Sequence, residues 1–185
     1  EYRLPKEVLD EEIAVLEKMG VTMVTNTKIG EDISFEAIRR DFDAVCVGIG
    51  AWVSTGVRCK GEDAEGVIGG IDFLRKVVRN EEIQLGEKVA IVGGGNTAME
   101  DALYLAGFCR KVYVLNRSKK FRAAATMVEN VKRNGKITVF TDTVVDKFVG
   151  SNMLEGVDIR NTVTGEKSIL NVSGAIVAIG VKPSS

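Results

Sequence analysis

The 185-residue chain carries 25 Lys and Arg against 26 Asp and Glu, a formal net charge of −1, and 45% of its residues are hydrophobic. That balance supplies a packed core and argues against a nucleic-acid or membrane-surface binder, and no apolar run approaches the ~18 residues of a membrane helix. The chain has no histidine, which removes Ser–His and Cys–His nucleophiles and most zinc sites, so no catalytic residue and no metal ligand is nominated.

In chain order, "LPKEVLDEEIAVLEKMG" reads as a helix: Pro5 suits a first position, Leu9, Ile13 and Leu16 recur at helical spacing, and Gly20 suits the stop. "VTMVTNTKI" follows as a strand, and "SFEAIRR" as a short helix capped by Ser34. "FDAVCVGIGA" is an apolar run of the kind buried on both faces of a parallel sheet, with Cys46 read as a buried thiol. Residues 53 to 66 read as a linker, and "GIDFLRKVVRNEE" as a helix. Strand "KVAIVG", helix "TAMEDALYLAGF", strand "KVYVLN", helix "AAATMVENVKRNG" and strand "ITVFT" then alternate. Three further strands, "TVVDKFVG", "LEGVDIRNT" and "KSILNVS", form a meander with a hairpin signal at "NTVTGEK", and "GAIVAIG" closes the series. The pattern predicts an α/β fold: a Rossmann-like doubly wound parallel sheet with an antiparallel β-meander insertion.

The stretch "VAIVGGGNTAMEDAL" carries the functional signal. Gly93, Gly95 and Ala98 form G-x-G-x-x-A between a strand and a helix. The first glycine allows a sharp turn, the second allows backbone N–H groups to approach an anion, and the small sixth residue allows close packing. The following helix N-terminus suits a pyrophosphate. Gly93, Gly94, Gly95, Asn96 and Thr97 are therefore the expected cradle. At the end of the next strand, where an acid would take a ribose 2′-hydroxyl, stands Asn116, followed by Arg117, Ser118, Lys119, Lys120 and Arg122. From Ala102 to Val128 no acidic residue occurs. This local field of one sign favours a 2′-phosphate, hence NADP(H) over NAD(H), with a solvated basic turn as the alternative. Glu100 could meet the carboxamide end of a nicotinamide, or simply answer the helix dipole. Trp52 reads as a packing residue at a strand end, with the lining of a flavin-side crevice as the alternative.

The cysteines Cys46, Cys59 and Cys109 show no CxxC spacing and suggest a reducing, cytoplasmic compartment. Both chain ends read as cut from a longer protein, and no signal peptide is visible.

Several stretches resemble the flavoproteins with two dinucleotide-binding domains, the pyridine nucleotide-disulfide oxidoreductase superfamily. "EYRLPKEVLDEEIAVLEKMGV", "FDAVCVGIGAW", "GEDAEGV" and "DFLRKV" resemble the small subunit of NADPH-dependent glutamate synthase. "GGGNTAMEDALYLAGFCRKVYVLNRSKKFRAA", "NTVTGEK" and "AIVAIGVKP" resemble thioredoxin reductase equally. The resemblance implies that the two Ile-Gly strands, at 43–51 and 174–182, mark crossings between an FAD domain and an NAD(P) domain. It implies that Arg117 and Arg122 hold a 2′-phosphate, as in the family run H-R-R-D-x-F-R-A, and that Ile179 and Gly180 cover the ribose or adenine side. Asn116 and Ser118 depart from that run, which loses one Arg and weakens the NADP preference unless Lys119 compensates. The cysteines of iron–sulfur clusters are not here, and residues 60 to 88 lack the redox disulfide, which argues against a thiol-reductase role for this chain.

The expectation is a partial FAD-domain segment at 1–52, an NADP(H)-binding domain at 53–182 and a tail at 183–185. NADPH would bind and deliver hydride to FAD, with the FAD held weakly by this chain alone. The implied partner is the remainder of the FAD domain or another electron-transfer subunit, with no nucleic acid and no membrane. The rivals are a nucleotide-binding module without turnover and the NADPH domain of a thioredoxin reductase-like protein.

Overall fold

The computed structural model describes residues 4–182, and the chain divides into two compact units, Glu1–Ile49 and Gly50–Ser185. In the first unit, α1 (Lys6–Lys18) starts after Pro5 and α2 (Phe35–Asp41) starts at Ser34, whose Oγ accepts the Ala37 N–H at 3.1 Å. Neither helix buries a residue. The strands expected at 21–29 and 42–51 do not form. Apart from one bridge between Ile29 and Ile33, these stretches have no ladder among the described residues. Val47 is 63% exposed, and Cys46, expected to be buried, is exposed. An apolar pattern makes a stretch fit for a buried strand, but a strand forms only against a hydrogen-bonding neighbour, and the described residues of this unit form two helices and no sheet.

The second unit is built on strands β1 (Val53–Ser54), β2 (Val67–Gly69), β3 (Lys88–Val92), β4 (Lys111–Leu115), β5 (Ile137–Phe140), β6 (Thr143–Val149), β7 (Gly156–Asn161), β8 (Lys167–Leu170), β9 (Gly174–Val177) and β10 (Val181–Lys182). Its helices are α3 (Gly70–Val78), α4 (Asn96–Leu105) and α5 (Ala125–Arg133). Five strands pair in parallel in the order β2-β9-β3-β4-β5. The meander β6-β7-β8 and the ribbon β1-β10 are antiparallel.

Strand alternation sorts the core into two layers. Val89, Ile91, Val112, Val114 and Ile176 pack with Phe73, Met99, Ala102 and Val131 of the helices. Ala90, Val92, Leu115, Ala175 and Val177 point to the other face and pack with Val145, Phe148, Val157 and Ile159 of the meander. Both faces of the parallel sheet are therefore covered, which is why its strands read as unbroken apolar runs.

One expectation about the links needs correction. The stretch 53–66 is no free linker: Phe148 N–H donates to Lys60 O at 2.9 Å and Leu154 N–H to Glu65 O at 2.8 Å, so it is stitched to the meander. Its end runs into β2, an edge strand too short to show a period in the sequence. Trp52 is 56% exposed, with the Arg75 guanidinium 5.4 Å from its ring centroid.

Candidate functional site

Two strand–helix junctions carry consecutive glycines, two at β2–α3 and three at β3–α4, and they differ in what fills them. At β2–α3 a Cβ on Gly69 would strike the Ser54 side chain, and Ser54 Oγ accepts the Ile71 N–H at 3.2 Å. That junction is closed by protein atoms. At β3–α4 the three glycines have three different neighbours. A Cβ on Gly93 would run into the Ala178 carbonyl and lie 3.0 Å from the Ala98 methyl, so Gly93 and Ala98 serve close packing. A Cβ on Gly94 would strike the buried Asn116 side chain. A Cβ on Gly95 would meet nothing within 4 Å.

Gly95 is also the N-cap of α4, and no side chain caps this helix. The first N–H groups of a helix have no intrahelical partner, and they carry the positive end of its dipole. Nothing within the chain requires the missing Cβ at Gly95, so the open space above it is a cradle of the right kind for an anion.

The basic turn is locked to this cradle. Gly94 O accepts the Arg122 N–H at 2.8 Å and the Ala123 N–H at 3.2 Å, and Asn96 Oδ1 accepts the Ala124 N–H at 2.9 Å. Asn116 is only 5% exposed. Its Nδ2 donates to Ser118 O at 2.7 Å and Lys120 O at 3.1 Å, while Ser118 Oγ donates to Lys120 O at 2.8 Å. The amide thus folds the turn back on itself and leaves its basic side chains outward. A carboxylate could not make those two donations. Among the described residues Arg117, Lys119, Lys120 and Arg122 are exposed and form no ion pair.

A cavity of about 610 Å³ opens at the carboxyl ends of β3, β4 and β9. Gly93, Gly94, Asn116, Arg117, Ser118, Arg122 and Ile179 line it. Gly95, Asn96, Thr97, Ala98, Glu100 and Gly180 do not. Ala98 is fully buried and Asn96 is exposed at the start of α4. Glu100 is half-buried on α4, and Gly180 O accepts the Thr55 N–H at 2.9 Å, tying the end of β9 to β1.

The sequence reading missed one charged wall residue, Arg160 of β7. Its Nε lies 3.1 Å from both carboxylate oxygens of Asp146, and its Nη2 lies 3.0 Å from Oδ1. The Arg160 guanidinium holds the Asp146 carboxyl below its usual range, first by hydrogen bonding and then by charge, and Asp146 pushes Arg160 up in return. No sequence pattern reveals the pair, because it depends on how β6 and β7 align. Burial pushes the thiols of Cys59 and Cys109 up, in Cys59 with help from Glu62. Among the described residues no cluster of metal-binding side chains forms, and no helix is long and apolar enough to cross a membrane.

A parallel sheet with an open glycine turn, an uncapped helix and a basic turn one strand over defines a Rossmann-like dinucleotide-binding fold. The pyridine nucleotide-disulphide oxidoreductase family profile matches residues 36–185, and the chain belongs to that family. It is 43% identical over 99 residues to the thioredoxin reductase of Mycolicibacterium smegmatis, covering 54% of this chain and 32% of that protein. It is 42% identical over 102 residues to the NADPH-Fe(3+) oxidoreductase subunit beta of Geobacter sulfurreducens, covering 54% of this chain and 15% of that one. The solved thioredoxin reductase from Giardia duodenalis superposes with a TM-score of 0.61 at 30% identity, over 71% of this chain and 42% of that chain. The chain therefore spans about a third of the length of the thioredoxin reductases it matches.

Proposed function

We propose that the chain is the NADP(H)-binding part of an FAD-dependent oxidoreductase. The turn Gly93–Thr97 and the first turn of α4 take the pyrophosphate, with Gly95 leaving the room for it. Arg117 and Arg122 hold the 2′-phosphate, Asn116 and Ser118 keep the basic turn in shape, and Ile179 and Gly180 stand beside the ribose or adenine. Glu100 belongs to the nicotinamide end. When bound, NADPH supplies a hydride for a flavin. The chain's own residues contribute orientation and charge, with no acid or base among them.

The observation that carries this reading is the contrast between the two glycine junctions. Ser54 fills one; at the other the space at Gly95 stands open, no side chain caps the helix, and Arg117 and Arg122 form no ion pair among the described residues. The family membership supports a flavin as the hydride acceptor, and the NADPH named in the Geobacter protein's description supports the choice of nucleotide. Residues 1–52 are assigned to an FAD-domain segment. Their exposed apolar side chains, Phe42 and Val47 among them, support a role in which further protein covers them. No residue of this chain is assigned to the flavin itself. The implied partner is the remainder of the FAD domain or an electron-transfer subunit, in a cytoplasmic setting.

The test is a paired titration with NADPH and NADH of the wild type and Arg117→Ala. NADPH binding weakens by about 1–3 kcal/mol, the cost of an unmade charged hydrogen bond, while NADH binding barely changes. Equal loss for both nucleotides, or no NADPH binding to the wild type, overturns the reading.

A further inference from the structure

A bulge interrupts β6. Val145 pairs with Ile159 and Lys147 with Asp158, so Asp146 is the extra residue, off the ladder. Bulges near sites re-aim a side chain. Here the extra residue meets Arg160 in a two-pronged contact, with N···O distances of 3.0 and 3.1 Å. Arg160 lines the cavity together with Arg117 and Arg122, and Asp146 does not line it. The carboxylate thus stands behind the guanidinium and holds one edge of it. Nη1 and the second N–H of Nη2 keep no partner among the described residues.

Register fixes which end of the cavity this is. Arg160 pairs with Val144, next to Thr143, and the Thr143 N–H donates to Asn116 O at 3.0 Å. Asn116 begins the basic turn. Arg160 therefore belongs to the same end of the cavity as Arg117.

We propose that Arg160, positioned by Asp146, is a third specificity-determining cation that grips a phosphomonoester on the ribose of the bound nucleotide. This rests on the nucleotide reading of the cavity given above. Arg117 and Arg122 stand on exposed stems and must be ordered when they bind. Arg160 is already ordered by its fork with Asp146, so less side-chain freedom is lost on meeting the phosphate. Its remaining N–H groups are the donors that a phosphate accepts in pairs. Asp146 balances the charge of Arg160 while no phosphate is there.

The test titrates the chain with NADPH, NADH, 2′,5′-ADP and 5′-AMP, using the wild type, Arg117→Ala, Arg160→Gln, Arg160→Lys and Asp146→Ala. Arg160→Gln weakens NADPH and 2′,5′-ADP about tenfold and leaves NADH and 5′-AMP within about twofold. The two unphosphorylated ligands also report that the cavity is still folded. Arg160→Lys keeps the charge without the fork and recovers part of the loss. Asp146→Ala weakens the same phosphorylated pair about threefold. Three outcomes overturn the inference: Arg160→Gln binding like the wild type while Arg117→Ala loses NADPH, equal losses for NADPH and NADH in Arg160→Gln, or a gain in 2′,5′-ADP affinity in Asp146→Ala. A wild type that binds neither NADPH nor 2′,5′-ADP sinks the cavity reading itself, a separate result.

Discussion

Gly93→Ala and Gly95→Ala differ by two positions in one turn, yet they report on different things. At Gly93 the new methyl meets a backbone carbonyl, that of Ala178, and the Ala98 methyl at 3.0 Å. Neither is the far end of a flexible side chain. Overpacking of this kind costs about 1–3 kcal/mol, and the positive φ of +155° adds about 1 kcal/mol more. At Gly95 the backbone, φ −95° and ψ −179°, is open to any residue, and the methyl meets nothing within 4 Å. Only the N-cap preference for Gly over Ala is lost, about 0.5–1 kcal/mol. For a chain of 185 residues a change of 1 kcal/mol moves the melting temperature by about 2–4 °C. Gly95→Ala should melt within about 4 °C of the wild type, and Gly93→Ala on the order of 10 °C below it. NADPH binding should reverse that mildness. The Gly95 methyl occupies the space in which a pyrophosphate would accept N–H donors, and losing one or two charge-assisted bonds weakens NADPH tenfold or more. Thermal melts with and without NADPH, together with calorimetric titration, read both quantities. A Gly95→Ala protein that binds NADPH as the wild type does would refute the cradle. One that melts as low as Gly93→Ala would refute the packing argument.

Asn116→Asp removes two donations, at 2.7 and 3.1 Å, and sets a carboxylate against two carbonyls at a 5% exposed site. It should cost about 2–4 kcal/mol in urea denaturation, part of it offset by water at the exposed turn, and should loosen NADPH. Met99→Ala empties a fully buried position between α4 and the sheet and should cost about 2–5 kcal/mol without changing the ratio of NADPH to NADH affinity. The exposed Cys46 should react with a thiol reagent faster than the half-buried Cys59, and the buried Cys109 most slowly, as timed mass spectrometry would show. Burial raises the Cys109 thiol pKa. Its contribution to stability is therefore full below the unfolded thiol value of about 8.5 and is lost as pH rises through the folded value. Melts above pH 8 should fall more steeply in the wild type than in Cys109→Ala.

The parts of the fold legible in the sequence are those whose patterns answer to their own immediate neighbours. "KVAIVG" and "GAIVAIG" read as buried strands because both their faces are covered, as Val89, Ala90, Ile91 and Val92 are. The glycine turn read correctly as a strand–helix junction because its spacing is local. Three features were illegible, each for want of a partner in the pattern. The run at 42–51 has a strand's composition but no ladder partner among the described residues. β2 is three residues long and is defined only by its pairing to β9, more than a hundred positions later. Asp146 and Arg160 meet across β6 and β7 beside a bulge, and nothing in "TVVDKFVG" marks where the ladder skips. Asn116 was legible as a departure from an acid, but its reason was not: the amide faces inward and builds the turn.

The order of strands explains why one glycine turn and not the other became available. β9 is the last strand of the parallel sheet, yet it sits inside it, between β2 and β3. Because β9 arrives there, the chain that leaves it must pass over the carboxyl end of β2, where β10 pairs with β1. β1 brings Ser54, whose side chain fills the β2–α3 junction and whose Oγ accepts the Ile71 N–H. On the other side of β9 the chain moves from β3 to β4 and β5, away from the ribbon, and the turn after β4 bonds to Gly94 O and Asn96 Oδ1 while leaving the space at Gly95 open. The side of the sheet where the connections part is where a crevice remains, as the general rule for open α/β sheets requires. A basic turn placed after β4 can then face that crevice directly, and the meander that follows β5 returns along the far face of the sheet to set Arg160 at its rim.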